Sequence, residues 1–100
     1  MDRDSAMSRI AAHRSALVDR GVKSLGLYGS TARDEAGPNS DVDVLVEIDR
    51  DRVRKFSLID LAGLQRYLSE VLDAPAHVTL RSDLSPDLSR RILADEVRVI

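Results

Sequence analysis

Period-two alternation from Asp41 to Ile48 constrains this 100-residue chain more than any other feature. Val42, Val44, Val46 and Ile48 fall on one face of an extended segment, and Asp41, Asp43, Leu45 and Glu47 fall on the other, the pattern of a strand with an apolar face turned to a core. A helix would scatter both sets. The apolar run Val22 to Tyr28 supplies a second strand, and Gly29-Ser30 stands where that strand turns into a helix and the backbone needs room. The segment Val22 to Ile48 is therefore the motif core of the chain.

The same segment carries chemistry. Helix N-termini offer unpaired N–H groups and a partial positive charge to anions. In Gly29-Ser30-Thr31-Ala32-Arg33, Ser30 is placed to cap the helix or bind a phosphate oxygen, and Arg33 one turn on is placed to position phosphate. On the second strand, residues two apart lie roughly 6 to 7 Å from each other. Asp41 and Asp43 are therefore spaced to share one or two divalent cations. Hard carboxylate oxygens favour Mg²⁺, which commonly binds one or two carboxylates together with substrate phosphates. A phosphate-gripping turn followed by such a pair suggests nucleotidyl transfer. A Gly-Ser loop or a solvated Asp-x-Asp alone would mean little, and the order of the two parts carries the inference. Ser40 either steadies Asp41 or ends the Gly37-Pro38-Asn39 turn, and the turn role fits its neighbours better.

Gly29-Ser30-x-Ala32-Arg33 with Ser40-Asp41-x-Asp43 resembles the signature of the minimal nucleotidyltransferases, small relatives of the DNA polymerase beta nucleotidyltransferase superfamily. Weaker likeness continues through Phe56-Ser57-Leu58, Asp60-Leu61, Leu64, and the stretch from Leu84 through Ile92 to Val97, which are similar to that family's later helices. The resemblance implies an α/β (α+β) fold, a short mixed β-sheet with flanking helices. It also implies a nucleoside triphosphate substrate, ATP, and two Mg²⁺ ions, with Mn²⁺ as an alternative. Asp41 and Asp43 would be catalytic and hold metal, while Gly29, Ser30 and Arg33 would bind the nucleotide. Many one-domain members are antitoxins that silence a small helical HEPN-type toxin by binding it or by adenylylating a tyrosine. Transfer of AMP to a hydroxyl of such a partner is the expected activity. The alternative is a catalytically weak or inactive protein that keeps the fold and neutralises its partner by contact.

One residue departs from the family pattern. His77, in Ala76-His77-Val78-Thr79-Leu80, stands where a third carboxylate is usual. Alternation sets His77 and Thr79 opposite Ala76, Val78 and Leu80. An imidazole suits Zn²⁺, Mn²⁺ or Fe²⁺ better than Mg²⁺. Three roles stay open for it: metal ligand, general base, or inert surface residue. Asp73 and Asp83 flank this strand as possible substitutes.

Length and composition set limits. One hundred residues make room for a single domain, residues 1 to 100, with no separate acceptor-binding domain. A net charge of −2, no Trp and one Phe argue against general nucleic-acid binding. The absence of Cys excludes disulfides and fits a cytoplasmic location. The charged start Met1-Asp2-Arg3-Asp4 is unlike a secretory signal, and no run approaches membrane-spanning length. Periodicity predicts an opening helix between Asp4-Ser5 and Gly21, a second over Leu58 to Leu72 ending near Asp73-Ala74-Pro75, and a third introduced by Ser85-Pro86. Asp49 to Lys55 reads as a solvated connection in which Arg52, Arg54 or Lys55 would be available to phosphate or a partner.

Overall fold

A computed structural model describes residues 1–37 and 39–100. Pro38, part of the expected Gly37-Pro38-Asn39 turn, lies outside the described residues. The elements are α1 (Arg3–Ala12), α2 (Arg14–Asp19), β1 (Val22–Tyr28), α3 (Gly29–Ala32), β2 (Val42–Ile48), α4 (Leu58–Leu72), β3 (Ala76–Leu80), a 3₁₀ turn (Arg81–Asp83), α5 (Pro86–Asp95) and β4 (Val97–Arg98). The strands form one mixed sheet in the order β3-β2-β1-β4. β2 pairs antiparallel with β1 and parallel with β3, and β1 pairs antiparallel with β4. A parallel pair needs a crossover, and α4 provides it. This is the α+β arrangement that the sequence implies.

The alternation holds residue by residue. Leu25 and Leu27 of β1, Val42, Val44 and Val46 of β2, and Val78 of β3 are buried on the face where Ile10, Leu17, Leu64, Leu68 and Leu72 complete the apolar core. The opposite face carries Ser24, Gly26 and Tyr28 of β1, Asp43, Leu45 and Glu47 of β2, and His77 and Thr79 of β3, as the register requires. Leu45 is fully buried there despite its carboxylate neighbours. Glu96, just beyond α5, lies so close to Gly26 that a Cβ at that glycine would sit 2.7 Å from the Glu96 carboxylate. Glu96 is in turn ion-paired with Arg81, which ties the 3₁₀ turn to the start of β4.

Three expectations need correction. The opening helix is two helices, broken at His13, whose backbone leaves the helical region at φ −107° and whose Nδ1 lies 2.9 Å from the Arg9 carbonyl. It begins at Arg3 because Asp2 caps it, accepting from the Ser5 N–H. The C-terminal stretch is not helical to Val97: α5 ends at Asp95, and Val97–Arg98 adds an edge strand against β1. The connection after β2 is less free than its charges imply, since Arg52 donates to the Val18 carbonyl and Val53 packs on the core. The starts of α4 and α5 match their sequence signals. Ser57 and Asp60 form a reciprocal capping box, and Ser85 caps α5 with Pro86 behind it. No helix of the described residues is long and apolar enough to cross a membrane.

Candidate active site

β1 runs directly into α3, and the turn closes on Asp43. Gly29 adopts φ +71°, a left-handed conformation that glycine takes without steric cost. A Cβ at this position would lie 2.5 Å from Asp43 Oδ2. The missing side chain is thus what lets the turn approach the carboxylate. Register then builds a row across three strands, pairing Tyr28 with Asp43 and Asp43 with His77. His77 Nδ1 stands 3.9 Å from Asp43 Oδ1, with the His side chain 61% exposed and the Asp side chain 31% exposed. One step deeper, the Tyr28 and Thr79 hydroxyls share a 2.9 Å hydrogen bond that spans β2. The Gly37–Ser40 turn leads into the pair, with Gly37 N–H donating to the Ser40 hydroxyl, so Ser40 fills the turn role.

The electrostatics single out Asp43. Its carboxyl is pushed above the ordinary carboxylate range, chiefly by burial; nearby His77 pulls it down, Asp41 raises it again, and the positive charge of Arg33 lowers it. Among the described residues no hydrogen-bond donor of the fold satisfies this carboxylate. Asp41, just before β2, is exposed. Arg33 follows α3 and is gripped by two carboxylates, Glu35 at 3.3 Å from Nε and Asp95 at 2.7 Å from Nη1. These partners, Asp95 foremost, hold the guanidinium above its usual pKa.

The structure therefore gathers Gly29, Asp41, Asp43 and His77 at one end of the second face, with Arg33 close enough for its charge to act on Asp43. Ser30 does not cap α3. The helix starts one residue early, at Gly29, so the cap position falls to Tyr28 and Ser30 is half-buried in the first turn. With only four residues in α3, an anion there would meet individual N–H groups rather than a long helix dipole. Asp73 and Asp83 are exposed, as the cap of α4 and within the 3₁₀ turn. Four residues that sequence reasoning did not single out border the site: Tyr28, Thr79, Glu35 and Asp95. Alternation already placed Thr79 on the face of His77, whereas Tyr28 comes to the site only through its pairing with Asp43. No local signal links Arg33 to Asp95, which lies 62 positions away.

Two adjacent carboxylates, one of them half-desolvated and without a hydrogen-bond donor, fit a hard divalent cation. Among the described residues no three His, Cys, Asp or Glu side chains converge to hold a metal. The pair is therefore suited to an ion that brings its other ligands with it, from phosphate and water, rather than to a protein cage.

A family model described as a nucleotidyltransferase domain matches residues 10–100. A candidate protein adenylyltransferase of Methanocaldococcus jannaschii is 38% identical over 84 residues, covering 84% of this chain and 86% of the relative. The protein adenylyltransferase MntA of Thermococcus cleftensis is 32% identical over 93 residues, covering 92% and 90%. Among solved structures, a candidate minimal nucleotidyltransferase superposes with a TM-score of 0.79 at 29% identity, over 97% of this chain and 95% of that one. A chain from the complex of a tri-AMPylated Shewanella oneidensis HEPN toxin with an MNT antitoxin superposes with a TM-score of 0.68 over 95% of this chain and 71% of that one, and its 15% identity speaks for the fold alone. With a Gly-Ser turn closed onto an Asp-x-Asp strand and these relatives along nearly its whole length, the chain belongs to the minimal nucleotidyltransferase family.

Proposed function

We propose that this chain transfers AMP from ATP to a hydroxyl of a protein partner, releasing pyrophosphate, and that it serves in this way as the antitoxin of a HEPN-type toxin. The observation that carries the reaction class is the contact of the Gly29 turn with Asp43 beside Asp41. Donor identity is supported by the relatives named as adenylyltransferases. The protein partner is supported by the openness of the site, since Asp41, Arg33 and His77 are all exposed. A cavity of about 440 Å³ lies elsewhere, between Arg20, Phe56 and Gly63. A large acceptor would have to present its own hydroxyl to the site.

In this scheme the acceptor oxygen attacks the α-phosphorus, the new O–P bond forms as the bond to the pyrophosphate oxygen breaks, and the acceptor proton leaves to water or to His77. Asp41 and Asp43 would hold Mg²⁺ with the triphosphate, and the ion would supply charge neutralisation at the reacting phosphate. Backbone N–H groups at Gly29 and Ser30, with Arg33, would orient the phosphates. The protein's share is position and field, as suits a reaction that asks for little covalent help. A second reading, neutralisation by contact alone, is favoured by one observation: the register partner of Asp43 is a histidine, His77, rather than a third carboxylate.

Transfer from α-labelled ATP to a small helical protein encoded beside this chain's gene separates the two readings. Label on the partner, with none from γ-labelled ATP, is the expected result. Neutralisation of the partner without label would leave the contact reading standing. Little transfer to small alcohols or aminoglycosides is expected in the absence of a protein partner, and robust transfer to them would overturn the assignment of the acceptor.

His77 can be tested in the same assay. If it stands in for a metal-binding carboxylate, His77→Asp should speed Mg²⁺-dependent transfer about tenfold, equivalent to about 1.4 kcal/mol, and the parent should work better in Mn²⁺ than in Mg²⁺. As a general base it would give the opposite sign: His77→Asp and His77→Ala would both lose activity. Unchanged rates in both variants would put His77 outside the mechanism.

A further inference from the structure

Arg33 is held at two of its three nitrogens. Glu35 takes its Nε and Asp95 its Nη1, and among the described residues no acceptor engages Nη2. A guanidinium carries five N–H donors in a rigid plane, so fixing the Nε and Nη1 positions fixes the direction of the remaining donors. Arg33 lies one helical turn after Gly29, its N–H donating to the Gly29 carbonyl at 3.2 Å, and Gly29 is the residue that sits against Asp43. Asp95 is the last residue of α5, and α5 packs against α3 and β1. The side chain that meets Arg33 is thus anchored through a helix rather than carried on a loose surface segment.

We propose that Asp95 is a positioning residue for the nucleotide site: with Glu35 it orients Arg33 so that the Nη2 edge is presented to the triphosphate. This rests on the nucleotide reading above and adds the end of α5 to the machinery. A preset guanidinium loses less rotamer freedom when it meets phosphate, which is how preorganisation raises affinity. The bare charge of Asp95 acts in the opposite sense, because an extra carboxylate near the site repels a polyanion. The two effects predict opposite outcomes for one substitution.

Calorimetry with Mg²⁺-ATP and with Mg²⁺-tripolyphosphate on the full chain decides between them. Asp95→Asn should weaken both ligands about five- to tenfold, and Asp95→Glu should recover much of the loss. In an Arg33→Gln background, Asp95→Asn should weaken neither. Tighter binding by Asp95→Asn, or an equal loss with and without Arg33, would overturn the proposal while leaving the nucleotide site intact. Failure of the parent to bind Mg²⁺-ATP at all would overturn both. Thermal unfolding of each variant guards against a folding defect, and loss of binding in Asp95→Asn with no recovery in Asp95→Glu would count against positioning.

Discussion

Replacing Asp41 and Asp43 together by Asn is expected to remove Mg²⁺-dependent ATP binding and to slow AMP transfer about a thousandfold, without unfolding the protein. The loss follows from what the pair offers, two hard anionic oxygen donors on one strand face, for which amide oxygens are weak substitutes. Metal charge stabilisation is worth several kcal/mol, and about 4 kcal/mol is a factor of about 10³ in rate. The folded state should respond in the other direction. Burial raises the Asp43 carboxyl above its ordinary value, and Asp41 beside it adds to the rise. A carboxyl raised on folding contributes stability that is present below its unfolded pKa and is lost as pH rises through the folded one. At neutral pH the parent therefore carries an unfavourable charge that Asn lacks. The variant should melt no lower than the parent at pH 7, and any advantage should vanish in acid, where Asp43 is protonated in both states. Calorimetry and thermal unfolding on the same samples check both halves. A folded variant that bound Mg²⁺-ATP like the parent would show that the site lies elsewhere.

Most of this site is local in sequence, which is why it could be read before the structure. Asp41 and Asp43 share a side because strands alternate, and the same rule put His77 and Thr79 on the site face of their strand. Gly29 stood at a strand-to-helix turn, where a positive φ is common, and it has one. What escaped depends on contacts that no short window contains. Leu45 belongs to the carboxylate face by alternation yet is fully buried, because β2 lies between two other strands and its deeper part is covered. β4 is two residues long, too short for any periodicity, and exists because β1 offers it an open edge. The break at His13 coincides with a side-chain contact to the Arg9 carbonyl, within an otherwise continuous apolar pattern. Arg33 read as a residue placed to position phosphate, and its tie to Asp95 exists only because α5 folds against α3.

Gly29→Ala tests the closest approach in the site, and its expected effect is large for the addition of one methyl group. Two costs add. The left-handed conformation at φ +71° penalises an L side chain by about 1–2 kcal/mol. The new Cβ would also stand 2.5 Å from Asp43 Oδ2 and 3.4 Å from Asp43 Cγ, so the carboxylate or the turn must move. The backbone cost alone, about 1–2 kcal/mol, lowers the melting temperature of a domain this size by about 4–16 °C, and the clash adds to it. Binding should suffer beyond what stability explains, since displacing Asp43 would break the side-by-side placement with Asp41 on which the proposed cation site rests. Gly37→Ala provides the control, because among the described residues a Cβ there meets only the Ser40 hydroxyl, at an ordinary 3.7 Å. It should stay near the parent in both melting temperature and Mg²⁺-ATP affinity. Parent-like stability and affinity in Gly29→Ala would mean that the turn does not sit against Asp43 in solution. The contact on which the nucleotide site has been built would then have to be given up.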